Sequence, residues 1–215
     1  MGQIAAAAAE AHHRIANSLA LLASLVRLEA RAAIRTGQGL SAFDLRRVLD
    51  GIATRLTAVA RLHRFLSQMP LEGSTPLRPY LREICEDMIA AFSSPEQPLT
   101  VTHTGGDCQV PVRHVHDLAL ILCEIFINAL KHAHPRGQPL AMRVDCVTAE
   151  DGRTVLTVSD DGVGLPDGFD PFHQGGLGFQ VIRALASDMG APLEIASNGA
   201  GLAFRLRLPA AARPC

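Results

Sequence analysis

The 215-residue chain contains no tryptophan, a single tyrosine and no cluster of basic residues. Its 20 Lys and Arg residues nearly balance its 21 Asp and Glu residues, for a formal net charge of -1. Proteins that bind nucleic acid usually follow the phosphates with clustered cations, and those that bind single strands also stack bases on aromatic rings. The composition therefore argues against a nucleic-acid partner.

Long apolar runs are also absent, since no stretch approaches the roughly 18 apolar residues that a transmembrane helix needs. The first residues have neither a basic region nor a signal-like pattern. The five cysteines are scattered and form no Cys-x-x-Cys pair, which disfavours a disulfide framework or a zinc site. His114 and His116 lack thiol or carboxylate company, so we predict no metal there. We expect no membrane segment and a cytoplasmic location.

The N-terminal part of the chain is rich in helix formers. Residues 3–34 lack glycine and proline, and after Gly37-Gln-Gly39 a capping-box pattern at Ser41 predicts a second helix with heptad-like apolar spacing. Each helix also carries a second apolar stripe. We therefore predict that residues 1–69 form an antiparallel helical hairpin that pairs with a second copy of the chain in a dimeric four-helix bundle. The alternative is that the second domain covers the extra stripe.

One histidine of the first helix stands at the edge of its packed face. The apolar stripe there consists of Ile15, Leu19, Leu22 and Val26. Extended backwards, it places His12 in the seam and His13 beside water. Glu10 and Asn17 share the face of His13. An exposed imidazole between a carboxylate and an amide is a candidate nucleophile, although a single helical histidine is more often a surface or satisfied core residue.

Residues 70–76 are rich in proline and glycine and predict a linker, after which helix and strand signals alternate. The remaining chain, 77–215, is predicted to be a mixed sheet with helices in two layers, so the fold class is α+β. Predicted helices cover 77–92, 114–133 and 178–189, and predicted strands cover 99–103, 108–112, 140–147, 154–159, 192–197 and 202–208.

The predicted helix 114–133 is apolar nearly all round, yet one narrow polar line interrupts it at Glu124, Asn128 and Lys131. Buried polar groups need partners, so this line indicates a polar ligand along that face. An amide oxygen can help to hold a hydrated Mg²⁺, and a lysine can bind a phosphate. The alternative is a network satisfied by neighbouring loops.

Two glycine motifs follow. Asp160-Asp161-Gly162-Val163-Gly164 ends a predicted strand, where a carboxylate can accept from an exocyclic amine while the glycines let a ligand approach the backbone. Gly175-Gly176-Leu177-Gly178 precedes a helix, and a glycine-rich helix N-terminus offers N–H groups to phosphate. Each motif alone is weak evidence, and the first is by itself a common turn. The P-loop pattern is absent.

The order of four motifs resembles that of bacterial two-component sensor histidine kinases. The motifs are His-Arg-x-x-Asn on a long helix, Glu-x-x-x-Asn-Ala-x-Lys-His, Asp-x-Gly-x-Gly, and Gly-x-Gly before a helix. The subgroup is the one whose phosphoacceptor is followed by Arg. The resemblance covers about residues 10–208. It implies a dimerisation and phosphotransfer hairpin followed by an α/β sandwich of the Bergerat or GHKL type, shared with gyrase, Hsp90 and MutL-like ATPases, with ATP and Mg²⁺ as cofactors.

The resemblance also implies roles for individual residues. His13 matches the phosphoacceptor, Asn128 the Mg²⁺ ligand and Asp160 the carboxylate that reads the adenine amine. The accompanying residues are Glu124, Lys131 and His132 in the box of Asn128, Gly162 and Gly164 beside Asp160, Gly176 and Gly178 on the phosphate side, and residues 165–175 as the ATP lid. A response-regulator receiver domain is the implied phosphate acceptor.

Two residues depart from the family pattern. Arg14 stands where many of these kinases have an acidic base, which leaves Glu10 and Glu124 as candidates. Asp161 stands where Asn is frequent, which is expected to alter the affinity for nucleotide or metal. The chain also shows no sensor domain, so it is either a fragment or receives its signal from a separate sensor protein. Two other functions remain open: a histidine phosphotransferase that relays phosphate without ATP, and an ATP-driven conformational machine or serine kinase of the same fold.

Overall fold

The computed structural model describes residues 49, 53, 73–93, 95, 98–134 and 138–210. The chain divides into two compact units, Met1–Leu71 and Glu72–Cys215. Leu49 and Ala53 are helical, and the rest of the predicted helical hairpin, including Glu10, His12, His13 and Asn17, lies outside the described residues. Its pairing into a dimeric bundle therefore stays a prediction, and the fold described below is that of the second unit.

The second unit contains three helices and seven strands among its described residues. In chain order they are β1 (Ser74–Pro76), α1 (Arg78–Phe92), β2 (Leu99–Gly105), β3 (Gln109–Pro111), α2 (Val112–His132), β4 (Leu140–Thr148), β5 (Thr154–Asp160), α3 (Leu177–Asp188), β6 (Leu193–Asn198) and β7 (Gly201–Leu208). All three predicted helices are present within two residues of their predicted bounds. Strand β1 lies within the predicted linker 70–76, where a strand was not expected.

The main sheet has five strands in the order β2-β4-β5-β7-β6. The predicted hairpins β4–β5 and β6–β7 are antiparallel, and β2 pairs with β4 in parallel. A parallel pair needs a long crossover, and the chain between β2 and β4 contains α2. The short strand β3 pairs with β1 rather than with β2, so the turn at residues 105–107 does not close a hairpin.

Burial alternates along the strands, and this places the helices on one side of the sheet. In β4, Leu140, Met142 and Val144 are buried, while Ala141 and Arg143 between them are exposed. The same alternation occurs in β7. A sheet with one apolar and one polar face is covered by a single layer of helices, which confirms the predicted two-layer sandwich.

Helix α2 lies at the centre of the helical layer and contacts α1, α3, β3 and β5. Fifteen of its residues are buried, and Leu118, Leu122, Ile125 and Phe126 have less than 2 % of their surface exposed. The sequence prediction of a buried helix at this position is correct. Among the described residues, no helix is both long enough and apolar enough to cross a membrane.

Candidate functional site

The predicted polar line lies along one side of helix α2. Glu124 is only 3 % exposed, and Asn128 and Lys131 are half-buried. Glu124 and Lys131 both interact with other groups. The Asn128 Nδ2 atom is buried and has no hydrogen-bond partner in the part of the chain that the structure describes. Because an unmet buried amide is costly, this atom marks a place where a ligand can bind.

The N-terminus of α3 lies against this polar line at Gly178. A Cβ atom built on Gly178 would lie 2.9 Å from Asn128 Oδ1, 3.0 Å from Asn128 Nδ2 and 3.1 Å from Glu124 Oε2. Only glycine therefore fits here without displacing the amide. The glycine of the second predicted motif thus meets the polar line of α2, as a shared binding site requires.

The first turn of α3 is open to a ligand. Its N-cap residue, Gly176, has an extended backbone and offers no side-chain cap, and the turn contains no acidic residue. A Cβ atom on Gly176 would meet nothing within 4 Å. The first N–H groups of a helix lack intrahelical acceptors and favour an anion. This end of the site therefore suits a phosphate group.

Asp160 ends strand β5, and its carboxylate is held by two backbone groups. Asp160 Oδ1 accepts from the Gly162 N–H at 2.9 Å and from the Leu202 N–H at 3.3 Å. Neither bond uses Oδ2, so that oxygen can accept from a ligand. Burial raises the pKa of the Asp160 carboxyl from its ordinary value of 3.8, and the two backbone hydrogen bonds only partly offset this.

The raised pKa predicts how Asp160→Asn affects stability. The contribution of the protonated carboxyl to the free energy of unfolding is fully present below pH 3.8, and it is lost as the pH rises through the folded-state pKa. The neutral amide avoids that loss and can still accept both N–H bonds. In urea unfolding at about pH 7 we expect Asp160→Asn to be at least as stable as wild type, with a margin that shrinks towards about pH 4. A stability difference between Asp160→Asn and wild type that does not change with pH would contradict a raised pKa of Asp160.

The glycines after Asp160 bring its turn against two other elements. A Cβ atom on Gly162 would lie 2.5 Å from the Ala133 Cα atom, just beyond α2. Gly164 has φ +73°, and a Cβ atom there would lie 2.5 Å from Ser197 Oγ. That hydroxyl also accepts from the Leu165 N–H at 2.7 Å. The turn is therefore fixed between the end of α2 and strand β6.

The predicted lid, residues 165–175, makes contacts of its own. Asp170 accepts from the Phe172 N–H and pairs with His173 at 2.6 Å. Arg183 of α3 donates to the Phe172 carbonyl at 2.6 Å. The Phe169 ring contacts Phe179 with the centroids 6.4 Å apart. These contacts connect the segment to α3.

The structure thus brings together most of the predicted site residues of the second unit. Glu124 and Asn128 meet Gly178, and Asp160 meets Gly162, whose turn abuts the end of α2 close to Lys131 and the exposed His132. Ser197, Arg183 and His134 were not predicted from the sequence. His134 and Ser197 make their contacts across 27 and 32 residues of the chain, and Arg183 reaches a backbone carbonyl of the lid, so none of them is marked by its local sequence.

Two models of known protein families match the chain. Residues 113–212 match the model described as histidine kinase-, DNA gyrase B-, and HSP90-like ATPase, and residues 10–92 match the model described as histidine kinase. The two matches follow each other along most of the chain. The chain belongs to the histidine kinase family. The family predicted from the motifs is confirmed, as is the GHKL-type fold of the second unit.

Two curated members of the histidine kinase family show the extent of the similarity. The chain is 27% identical over 210 residues to blue-light-activated histidine kinase 2 of Erythrobacter litoralis, covering 94% of this chain and 56% of that protein. It is 30% identical over 182 residues to the sensor histidine kinase PdtaS of Mycobacterium tuberculosis, covering 83% of this chain and 34% of that protein. The chain therefore spans about half of the first relative and a third of the second.

A solved structure of this family resembles the chain over nearly its full length. The blue-light activated histidine kinase EL346 of Erythrobacter litoralis aligns with a TM-score of 0.70 and 25% sequence identity, covering 94% of this chain and 58% of that one. The isolated kinase domain of the same protein aligns with a TM-score of 0.64 and 22% identity, which shows the fold alone.

Proposed function

We propose that the chain is the core of a two-component histidine kinase, which phosphorylates its own His13 from Mg·ATP and passes the phosphoryl group to an aspartate of a response-regulator receiver domain. The observation that carries the ATP-binding part is the unpartnered buried amide of Asn128 beside the uncapped first turn of α3 at Gly178. An amide and free helix N–H groups at one place suit a phosphate chain and its metal ion.

Asp160 would read the base of the nucleotide. Adenine presents an exocyclic amine, which is a hydrogen-bond donor, and the Oδ2 atom of an ionised Asp160 is an acceptor that the backbone bonds leave available. Guanine presents a carbonyl oxygen at the corresponding position, which would face a carboxylate oxygen. Gly162 and Gly164 carry no side chain, so the turn beside Asp160 can pack closely against Ala133 and Ser197 and hold the carboxylate in place.

The residues at the other end would hold the phosphates. The amide of Asn128 can present its oxygen to Mg²⁺, which when bound would offset the negative charge of the phosphate oxygens. The N–H groups of the first turn of α3, at Gly176 and Gly178, would donate to phosphate oxygens. Lys131 and His132 end the same helix, α2, and Lys131 adds a positive charge near the site.

The transfer step uses His13. One ring nitrogen attacks the γ-phosphorus in line, the bond to the oxygen bridging the β- and γ-phosphorus breaks, and ADP leaves with that electron pair. The proton on the other ring nitrogen passes to a base. Because Arg14 follows His13, we assign this role to either Glu10 or Glu124. Glu124 is supported by the proximity of its Oε2 atom to Gly178. The sequence spacing predicts Asn17 on the same helical face as His13.

The proposed partners follow from this chemistry and from the family. The helical hairpin would form the homodimer, and the receiver domain would dock beside His13. A separate sensor protein could supply the signal if it is not part of the same polypeptide. We propose that this signalling takes place in the cytoplasm, where ATP and response regulators are available.

Calorimetric titration with Mg·ATP separates this proposal from a phosphate relay. A histidine phosphotransferase of the same architecture would have no use for the buried amide, the open helix end or the carboxylate of Asp160. We expect one ATP to bind per chain. If no heat of binding is detected at millimolar nucleotide, the relay function replaces the kinase function.

Gly178→Ala is expected to weaken ATP binding by about tenfold without unfolding the domain. The new methyl group would lie within 3.0 Å of the Asn128 amide, so the amide must move away from its ligand-binding position. Alanine otherwise favours a helix. Titration of the variant with Mg·ATP measures the effect. The matched control is Gly199→Ala, where a Cβ atom would meet nothing within 4 Å; equal affinities of the two variants would refute the contact.

A further inference from the structure

A hydrogen-bonded pair, His134 and Asp161, links the segment after α2 to the turn after β5. The His134 Nε2 atom lies 2.8 Å from Asp161 Oδ1. The imidazole side chain is only 12% exposed, while the carboxylate side chain is 49% exposed. The buried His134 ring therefore holds the more exposed Asp161 carboxylate in place. The resemblance to histidine kinases assigns no role to this pair.

One oxygen of the Asp161 carboxylate holds the turn to two other parts of the protein. Its Oδ1 atom also accepts from the Ala141 N–H at 3.0 Å, and the Asp161 N–H donates to the Ala141 carbonyl at 3.2 Å. Burial disfavours the charge, but the hydrogen bonds from His134 and Ala141 outweigh it and hold the pKa of the Asp161 carboxyl below its ordinary value. Asp161 is therefore an ionised anchor between the turn, the start of β4 and His134.

This anchor lies directly beside the carboxylate that would read adenine. The Val163 N–H donates to the Ala133 carbonyl at 3.0 Å, and Gly162 packs against the same residue. The Gly162 N–H is in turn one of the two donors that orient Asp160 Oδ1. The position of the segment Ala133–His134 therefore sets the position of Gly162, and through it the orientation of Asp160.

We propose that His134 and Asp161 are positioning residues of the nucleotide pocket, whose hydrogen bond fixes the Asp160 turn against the end of α2 and so sets the affinity for the adenine base. The inference rests on the proposed function. The pair lies at the base end and has no part in phosphoryl transfer. Loss of the pair should therefore raise the KM for ATP and leave the maximal autophosphorylation rate unchanged.

Calorimetric titration of the full chain with Mg·ATP tests this with two substitutions of one residue. We expect His134→Leu to weaken binding about tenfold, because the turn loses its side-chain bond to the end of α2. His134→Gln keeps an N–H donor near the Nε2 position and should bind within about twofold of wild type. The matched control is His103→Leu on β2, which should also bind like wild type.

Asp161→Ala provides an independent variant if His134→Leu does not fold. It keeps the ring, and we expect the same loss of about tenfold. Because both variants remove one shared contact, the double variant His134→Leu/Asp161→Ala should bind no more weakly than either single variant. Wild-type affinity in His134→Leu and Asp161→Ala, or equal loss in His134→Gln and His134→Leu, would overturn the inference. If wild type itself binds no ATP, the proposed function has failed, and the inference fails with it.

Discussion

Replacing Asp160 with asparagine is expected to weaken ATP binding by about 100-fold or more. The carboxylate oxygen Oδ2 would accept the amine proton of adenine, whereas asparagine would present its own amino group there and set a donor against a donor. Binding weakens strongly when a buried hydrogen bond between a site and its ligand is replaced by two polar groups that cannot pair. The fold should persist, since the amide oxygen can still accept from the N–H groups of Gly162 and Leu202.

Titration of Asp160→Asn with Mg·ATP measures this effect, with Asp151→Asn as the control. Asp151 lies in the exposed turn between β4 and β5, and its carboxylate contacts Arg153, two residues away in the same turn. The control should bind like wild type, and unfolding curves should show that both variants are folded. If Asp160→Asn retains affinity within about threefold of wild type, Asp160 does not read the base.

The regular elements of the second unit could be predicted because each carries a periodic signal over many residues. Helix α2 was recognisable from its continuous apolar surface, and the hairpins β4–β5 and β6–β7 from alternating strands around glycine-containing turns. Strands β1 and β3 have only three residues each. A strand of three residues is too short to show an alternation of apolar and polar residues, and its pairing partner is set by tertiary contacts.

The candidate site was predictable where a polar residue interrupts an apolar pattern or a glycine follows a strand. Asn128 and Asp160 were found in this way, and the structure surrounds both with the expected glycines. His134 and Ser197 were not found. His134 meets Asp161 across 27 residues, and Ser197 meets Leu165 across 32 residues. Such contacts depend on the fold, so a single sequence does not reveal them.

Asp161 shows why a departure from a family pattern is difficult to interpret before the fold is known. The sequence placed it beside Asp160 and suggested an altered affinity for nucleotide or metal. In the structure its carboxylate accepts hydrogen bonds from His134 and Ala141. The side chain at this position therefore helps to fix the turn, and its effect on affinity would be exerted through Asp160.

His13→Gln is expected to abolish phosphate incorporation while ATP binding is retained. Glutamine is similar in size and polarity but offers no nucleophilic ring nitrogen, and the pocket of the second unit is unchanged. His12→Gln should stay largely active, because the apolar stripe from Ile15 to Val26 predicts residue 12 in the helical seam and residue 13 at its edge. His12 is thus a matched control one residue away.

Transfer of ³²P from γ-labelled ATP to the intact chain shows whether His13 is the phosphoacceptor, with wild type, His13→Gln and His12→Gln labelled side by side. We expect label on wild type and His12→Gln, none on His13→Gln, and a phosphate that is lost in acid and stable in base. Label that persists on His13→Gln, or a product that survives acid, would contradict this role of His13 and favour a serine-directed kinase of the same fold.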